Sequence, residues 1–105
     1  MEEYIILQSE TFKRWLKKLT VSDRLRILTR FERIESGNFG DHRWFGDIGE
    51  LRFFFGGGYR VYYTIKNKTV VFLLCGGDKS SQDNDFKKAR RILQDVPDNP
   101  TEDED

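Results

Sequence analysis

The sequence predicts an α+β fold in which two N-terminal helices pack on one face of a small antiparallel sheet and a C-terminal helix follows. Residues 9–36 carry apolar side chains at helical spacing, whereas residues 48–75 contain three short segments rich in aromatic and β-branched residues. The two links between those segments are only three residues long, so the three strands must form antiparallel hairpins. The predicted element order is β-α-α-β-β-β-α.

The N-terminal third is predicted to contain one strand and two helices. "YIIL" at residues 4–7 is the strand, and "SETFKRWLKKL" at residues 9–19 has one apolar helical face. The second helix follows Thr20 or Ser22, both suitable N-caps, and ends near Gly37. The apolar face of the first helix consists of Phe12, Trp15, Leu16 and Leu19.

The remaining chain is predicted as a loop, three strands and a final helix. "GNFGDHRWFGD" at residues 37–47 is rich in Gly, Asn and Asp, which favours a loop. Strands are predicted at residues 48–55, 59–65 and 69–75, and the last helix at residues 83–93.

Strand alternation then predicts which side chains share a face. With "GGG" as the first hairpin loop, Phe55 pairs with Tyr59 and Leu51 with Tyr63, and these residues form the face toward the helices. The opposite face then presents Glu50, Arg52, Phe54, Arg60 and Tyr62.

The same reasoning brings three cations together. With "KNK" as the second loop, Cys75 pairs with Tyr59, so the chain leaves the sheet through two glycines beside Arg60. Lys79 follows within a few residues, and Arg52, Arg60 and Lys79 are therefore expected to converge at one edge of the face away from the helices.

This cluster has the chemistry of a phosphate site. Arginine offers a planar fork of donors to phosphate oxygens, and Tyr62 beside it is a candidate for stacking on a base. RNA carries its own nucleophile, the 2′-hydroxyl, so cleavage needs no Ser or Cys nucleophile from the protein. The residues leave open the alternative that these are surface arginines paired with acids, with Glu50 balancing Arg52.

Other reactive residues are sparse. The single histidine, His42, stands beside Arg43 and Trp44 as either a general base or an ordinary loop residue. No metal or other cofactor is expected, because one His and scattered acids show no ligand spacing. The single cysteine, Cys75, excludes an intramolecular disulfide and reads as a core residue. Whether Phe54 or Trp44 serves as a stacking platform stays open.

Length and charge distribution add two expectations. With 105 residues the chain predicts one domain at residues 1–94 and an acidic, disordered tail at residues 95–105. All 18 Lys and Arg lie in residues 1–91, which carry a formal charge of +6, and residues 92–105 carry −6. A basic body suits a polyanion, and we hypothesise that the tail weakens RNA binding or contacts a protein partner. No apolar run is long enough to cross a membrane and no signal peptide is visible, so a cytoplasmic protein is expected.

Five motifs in order carry a resemblance to a known family. "GNFGD", "GELR", "GGGYRVYY", "LLCGGDKSSQ" and "DFKKA" resemble the phage-derived, Gp49-like and HigB-like addiction-module killer proteins of the RelE/ParE toxin superfamily. The resemblance covers about residues 4–93. It departs where His42 and Arg43 follow "GD", because family members commonly carry a lysine there.

The resemblance implies a fold, an activity and partners. It implies a compact sheet with two helices and a toxin whose RelE- and HigB-like relatives cleave mRNA in the ribosomal A site. By position in the motifs it implies Arg52, Arg60 and Lys79 as catalytic residues. Tyr62, Gln82, Arg43 and His42 are the residues we expect to bind RNA. It also implies a cognate antitoxin, often with a helix-turn-helix, so that DNA is bound only through the antitoxin, while mRNA and ribosomal RNA are contacted directly.

Two alternatives to a ribosome-dependent endoribonuclease remain. One is a ParE-like toxin that binds and inhibits DNA gyrase and needs no convergent phosphate site. The other is an inactive relic that retains only antitoxin binding.

Overall fold

The computed structural model describes residues 3–101 and confirms the α+β class. Its elements, in chain order, are β1 (Ile5–Gln8), α1 (Glu10–Lys17), α2 (Val21–Glu35), β2 (His42–Phe45), β3 (Ile48–Arg52), β4 (Arg60–Lys66), β5 (Val70–Gly77), a 3-10 turn (Lys79–Ser81) and α3 (Gln82–Leu93). None of the helices within residues 3–101 is long and apolar enough to cross a membrane.

The five strands form one sheet in the order β1-β5-β4-β3-β2. The pairs β2–β3, β3–β4 and β4–β5 are antiparallel, as expected, but β1 lies parallel to β5 with Ile5 opposite Val70. The expectation of a wholly antiparallel sheet was therefore wrong for this pair. Short links determine the direction of the hairpin strands only. Both helices and three strands lie between β1 and β5 in the chain, so no short link sets the direction of β1.

An additional strand occupies part of the predicted loop. Residues 42–45 form β2 and pair with β3, with Arg43 opposite Glu50. The Gly and Asp residues that favoured a loop lie at the two ends of this strand, where they form the turns. Because β2 is a short and largely exposed edge strand, its own sequence carries little of the apolar alternation that marks a strand.

Side-chain caps fix the starts of α1 and α2. Ser9 Oγ accepts a hydrogen bond from the Phe12 amide at 2.9 Å, and Thr20 Oγ1 accepts one from the Asp23 amide at 3.2 Å. Thr20 is thus the N-cap of α2 rather than Ser22, and the helix ends just before Gly37, as predicted.

The sheet has an apolar core on each face. Helices α1 and α2 cover one face, where Phe12, Ile27 and Leu51 are completely buried. Helix α3 covers part of the other, where Ile48, Tyr62 and Ala89 are completely buried. The face that the sequence left away from the helices is therefore partly closed by α3.

The packed part of the chain continues past residue 95, where the acidic tail was predicted to begin. Val96 is buried in the second core, and Asp98 lies 3.7 Å from the Lys66 ammonium. In the structure Val96 packs residues of this segment against α3 and the sheet, and disorder of the tail stays a prediction. Residues 102–105 of the predicted tail lie outside the described residues.

The predicted faces are correct although the predicted register is not. Strand β3 ends at Arg52 rather than at residue 55, and Leu51 lies opposite Val61 instead of Tyr63. A shift by two residues leaves every side chain on its predicted face, because alternation repeats every two residues. In β5 the pairing is displaced by a bulge near Tyr62, which places Gly77 opposite Arg60.

Candidate functional site

Three neighbouring strands, β3, β4 and β5, have ends that lie side by side. They bring the predicted cations to one end of the sheet. Arg52 on β3 lies directly opposite Arg60 on β4, and Arg60 lies opposite Gly77 on β5. Directly opposed residues point to the same face of a sheet. The chain then turns, and Lys79 opens the 3-10 turn that follows β5.

Arg60 and Lys79 meet around Gly58. A methyl group built on Gly58 would lie 3.4 Å from Arg60 Nη1 and 3.5 Å from Lys79 Cβ, so both side chains border the same small space. Arg60 Nη1 donates to the carbonyl oxygens of Gly58 and Tyr59 at 3.0 and 3.1 Å. Within residues 3–101 neither cation has a carboxylate within 4.0 Å. Among these described residues they form a pair of positive charges that makes no ion pair with a carboxylate.

The two glycines before Lys79 allow the helices to lie close to β5. A methyl on Gly76 would lie 2.4 Å from the Trp15 ring, and one on Gly77 would lie 1.7 Å from Asp85 Oδ2. No side chain fits at either position unless α1 or α3 moves away. Gly76 and Gly77 are thus explained by the close packing of α1 on one face of the sheet and of α3 on the other.

Asp78 orders the turn that carries Lys79. Its carboxylate accepts hydrogen bonds from the Ser80 amide at 2.8 Å and from the Ser80 hydroxyl, and its amide donates to Ser81 Oγ. The hydrogen bonds from Ser80 lower the pKa of Asp78, so this cap is ionised at neutral pH. The backbone of Lys79 is therefore fixed while its ammonium group stays exposed.

Arg52 has a counterion, and it is not the one predicted. Its guanidinium contacts Asp41 Oδ1 with Nη2 at 2.8 Å and Nε at 3.3 Å. The expectation that Glu50 balances Arg52 was wrong, because β2 pairing brings Asp41 to this end of β3. Arg52 is thus next to Arg60 in the sheet but its charge is compensated.

Glu50 belongs to a buried network that the sequence did not reveal. Its side chain is 2% exposed, and Oε2 accepts hydrogen bonds from the Tyr62 hydroxyl at 3.0 Å and from Gln82 Nε2 at 2.8 Å. Burial, with a further contribution from the Glu50 charge, raises the pKa of Tyr62 above its usual range. The sequence shows a charged residue, Glu50, between apolar residues of the β3 segment. Whether that carboxylate is buried or exposed depends on where α3 packs.

Tyr62 and Gln82, which were expected to contact RNA, are both hydrogen-bonded to Glu50 in this buried network. Tyr62 is completely buried, so its ring has no free face for stacking on a base. Gln82 is half-buried and holds Glu50 at the edge of a cavity of about 360 Å³. The cavity is lined by Phe45, Glu50, Tyr62, Gln82, Asp83, Phe86 and Lys87.

The two remaining predicted site residues lie on opposite faces of β2. Arg43 faces the same way as its partner Glu50, and its guanidinium lies 5.2 Å from the centre of the Phe45 ring. His42 faces the other core, with Nδ1 2.8 Å from the Gly40 carbonyl oxygen and its ring against Phe39. His42 is thereby separated by the sheet from the Arg60–Lys79 pair and is not placed to act with it.

The space beside Gly58 suits an anion. Among residues 3–101, Arg60 and Lys79 make no ion pair with a carboxylate and border this one space, whereas the cavity is lined by the carboxylates of Glu50 and Asp83 as well as by Lys87. The described residues contain no group of three or more His, Cys, Asp or Glu that could hold a metal ion. Positioned cations of this kind bind phosphate and stabilise negative charge that develops on it.

Comparison with known proteins gives a family match and a curated relative. Residues 14–96 match the sequence model of the family described as phage derived protein Gp49-like. An uncharacterized protein of Haemophilus influenzae is 47% identical over 88 residues, which cover 82% of this chain and 89% of that protein.

Two solved structures share the fold. A mutant of the E. coli toxin RelE in the free state superposes with a TM-score of 0.68 at 21% identity, covering 87% of this chain and 99% of the other. The intact E. coli RelBE toxin–antitoxin complex gives a TM-score of 0.57 at 24% identity, covering 71% and 95% of the two chains. At these identities the likeness shows a RelE-like fold.

Proposed function

The chain belongs to the family of phage-derived Gp49-like proteins, and on that basis we propose that it is the toxin of a type II toxin–antitoxin system. We further propose that it is a metal-independent endoribonuclease that cleaves mRNA on the ribosome, in the cytoplasm, and so inhibits translation. The RelE-like fold supports the first part of this proposal, and the geometry around Gly58 supports the second.

The observation that carries the enzymatic proposal is the Arg60–Lys79 pair. Two neighbouring cations without counterions are unfavourable unless an anion joins them, because like charges repel. A phosphodiester beside Gly58 would contact both side chains, and the absence of a side chain on Gly58 leaves room for its oxygens. These are two of the three residues, with Arg52, that the family resemblance implies as catalytic.

The chemistry follows from the substrate. The 2′-oxygen of RNA attacks the adjacent phosphorus and loses its proton to a solvent water molecule, while the bond from phosphorus to the 5′-oxygen breaks and that oxygen takes up a proton. The products are a 2′,3′-cyclic phosphate and a 5′-hydroxyl. Arg60 stabilises the charge on the phosphorane oxygens, and the exposed Lys79 ammonium donates the proton to the leaving oxygen.

We also propose the partners. The RelBE complex is a toxin bound to its antitoxin, and a cognate antitoxin with a helix-turn-helix is the proposed partner of this chain. Contact with DNA then occurs only through the antitoxin. The excess of Lys and Arg in residues 1–91 supports direct contact with mRNA and ribosomal RNA.

The test maps mRNA ends by primer extension after the chain is induced without an antitoxin. The Arg60→Ala/Lys79→Ala variant is compared with Arg14→Gln/Lys17→Gln, which removes two charges from the exposed surface of α1. New 5′ ends within translated codons are expected for the wild type and the α1 variant and not for the first variant, all three being folded by circular dichroism.

Other outcomes decide between the alternatives. Growth arrest with intact mRNA would contradict cleavage and point to a protein target such as gyrase. The absence of any arrest would favour a relic that only binds an antitoxin. Cleavage that survives in the Arg60→Ala/Lys79→Ala variant would remove these residues from the proposed site.

A further inference from the structure

We propose that a groove between α2 and the β3–β4 loop binds single-stranded RNA next to the Arg60–Lys79 pair. This inference rests on the proposed function, since the RNA would be the flanking part of the same substrate. The groove has a volume of about 400 Å³. This arginine groove is lined by Arg26, Thr29, Arg30, Arg33, Arg52, Phe53, Phe54 and Phe55.

The charge of the arginine groove comes mainly from one face of α2. Arg26, Arg30 and Arg33 occupy positions i, i+4 and i+7, so they form a stripe along the helix. Of the lining residues, four are arginines and none is acidic. The apolar positions dominate the sequence pattern of α2, and the arginine stripe becomes a binding surface only because the helix lies against the β3–β4 loop.

Arg30 has a structural role within the stripe. Its guanidinium donates to the carbonyl oxygens of Phe39, Asp41 and Arg52 at 3.0, 2.6 and 3.0 Å. It thereby joins α2 to the segment before β2 and to the end of β3. Burial lowers its pKa from the usual value, although arginine remains charged at neutral pH.

Arg26 and Arg33 are the cations available to a ligand. Both are exposed, and within residues 3–101 neither has a carboxylate within 4.0 Å. Seven residues of helix separate them by about 10 Å along the axis. Two charges at that distance suit two phosphates of an extended strand better than one small anion.

Phe54 supplies the contact that distinguishes single-stranded RNA from other anions. Its side chain is 87% exposed at the rim, whereas Phe53 and Phe55 are covered by Arg30 and Arg26, at 4.8 and 3.8 Å from the ring centres. An exposed aromatic ring beside phosphate-binding cations is the usual combination in proteins that bind unpaired strands, because every base can stack on it. A duplex hides those base faces.

The β3–β4 loop, residues 53–59, separates the arginine groove from the candidate catalytic pair. Arg52 lines the groove and lies directly opposite Arg60 in the sheet. The loop that connects them contains the exposed Phe54 and, beside Lys79, Gly58. A strand held in the groove would therefore lead across this loop to the Arg60–Lys79 pair.

The test measures binding without cleavage. A fluorescent 12-nucleotide RNA with 2′-O-methyl groups throughout is titrated with purified chain, and anisotropy is recorded at several salt concentrations. Arg26→Gln/Arg33→Gln is compared with the matched variant Arg14→Gln/Lys17→Gln on α1. Loss of two phosphate contacts is expected to reduce the slope of log K against log salt by about 1.4, while the α1 variant changes it little.

Two further variants separate charge from structure. Arg26→Lys/Arg33→Lys keeps the charges and is expected to keep the salt slope. Phe54→Ala is expected to weaken binding about 5-fold or more with the slope unchanged, because stacking is lost but no charge is removed. Val21→Ala, which truncates another exposed apolar side chain, is its control and should bind as the wild type does.

The proposal would be overturned if Arg26→Gln/Arg33→Gln and Phe54→Ala, both folded, bound this RNA like their controls. It would also be overturned if the wild-type chain bound a duplex of the same length as tightly as the single strand. The primer-extension test is independent of these results. Cleavage without groove binding would leave the proposed function intact, and groove binding without cleavage would leave the RNA contact but refute the enzyme.

Discussion

Replacing Gly57 and Gly58 separately by Ala tests whether the space beside Arg60 and Lys79 is used. Both glycines have positive φ, +73° and +79°, so Ala is strained at either position. The left-handed conformation costs a non-glycine residue about 1–2 kcal/mol, partly offset by a lower entropy of the unfolded chain. We therefore expect each variant to lose about 1 kcal/mol of unfolding free energy and about 4–8 °C in Tm.

The two variants differ in what the new methyl group touches. At Gly57 nothing lies within 4 Å, whereas at Gly58 the methyl lies 3.4 Å from Arg60 Nη1 and 3.5 Å from Lys79 Cβ. It would narrow the space beside Arg60 and Lys79 in which we propose that the phosphate lies, and a phosphate oxygen there must approach a donor to about 2.8 Å. A lost charge-assisted hydrogen bond costs about 1.5–3 kcal/mol, so Gly58→Ala should cleave about 10- to 100-fold more slowly than Gly57→Ala.

The assay is cleavage of a translated mRNA on purified ribosomes, followed by primer extension, with thermal melting of both variants. Equal activities of the two variants would refute the reasoning, since backbone strain would then account for the whole effect. Full activity of Gly58→Ala would show that the space between the cations does not hold the phosphate.

Three predictions concern the buried groups. Tyr62→Phe should lower the urea-unfolding free energy by about 1–3 kcal/mol, because buried Glu50 loses a donor; an unchanged value would mean that the network does not stabilise the fold. Burial raises the pKa values of Tyr62 and Tyr63, so the contribution of these two groups to stability should be constant below about pH 10 and be lost above it, as the unfolded phenols ionise first. In a Tyr4→Phe/Tyr59→Phe variant, which keeps only these two phenols, absorbance at 295 nm should then rise only as the chain unfolds, and phenol ionisation in the still-folded variant at pH 10 would contradict this. Burial also raises the pKa of Cys75 to about 12, so Ellman's reagent at pH 8 should label it only on unfolding, and rapid labelling of the native chain would be inconsistent with its packing.

Local patterns in the sequence were sufficient for the element types and for the two faces of the sheet. Apolar spacing along α1 and α2 and the shortness of the two hairpin links act over a few residues, and the structure confirms both. The face assignments survived an incorrect register because the error at Leu51 was two residues. The edge strand β2 was missed because it is short and exposed, and its apolar pattern is correspondingly weak.

The sequence by itself therefore determined that Arg52, Arg60 and Lys79 end up near one another, because strand alternation and loop length are local properties. Only the tertiary structure decided which of them carry an uncompensated charge, since Asp41 reaches Arg52 through the pairing of β2. It also decided that α3 covers the hydrogen-bonded side chains of Tyr62 and Glu50, and that the α2 arginines face the β3–β4 loop. These contacts join residues far apart in the chain, and their formation depends on how whole elements pack, which no local periodicity encodes.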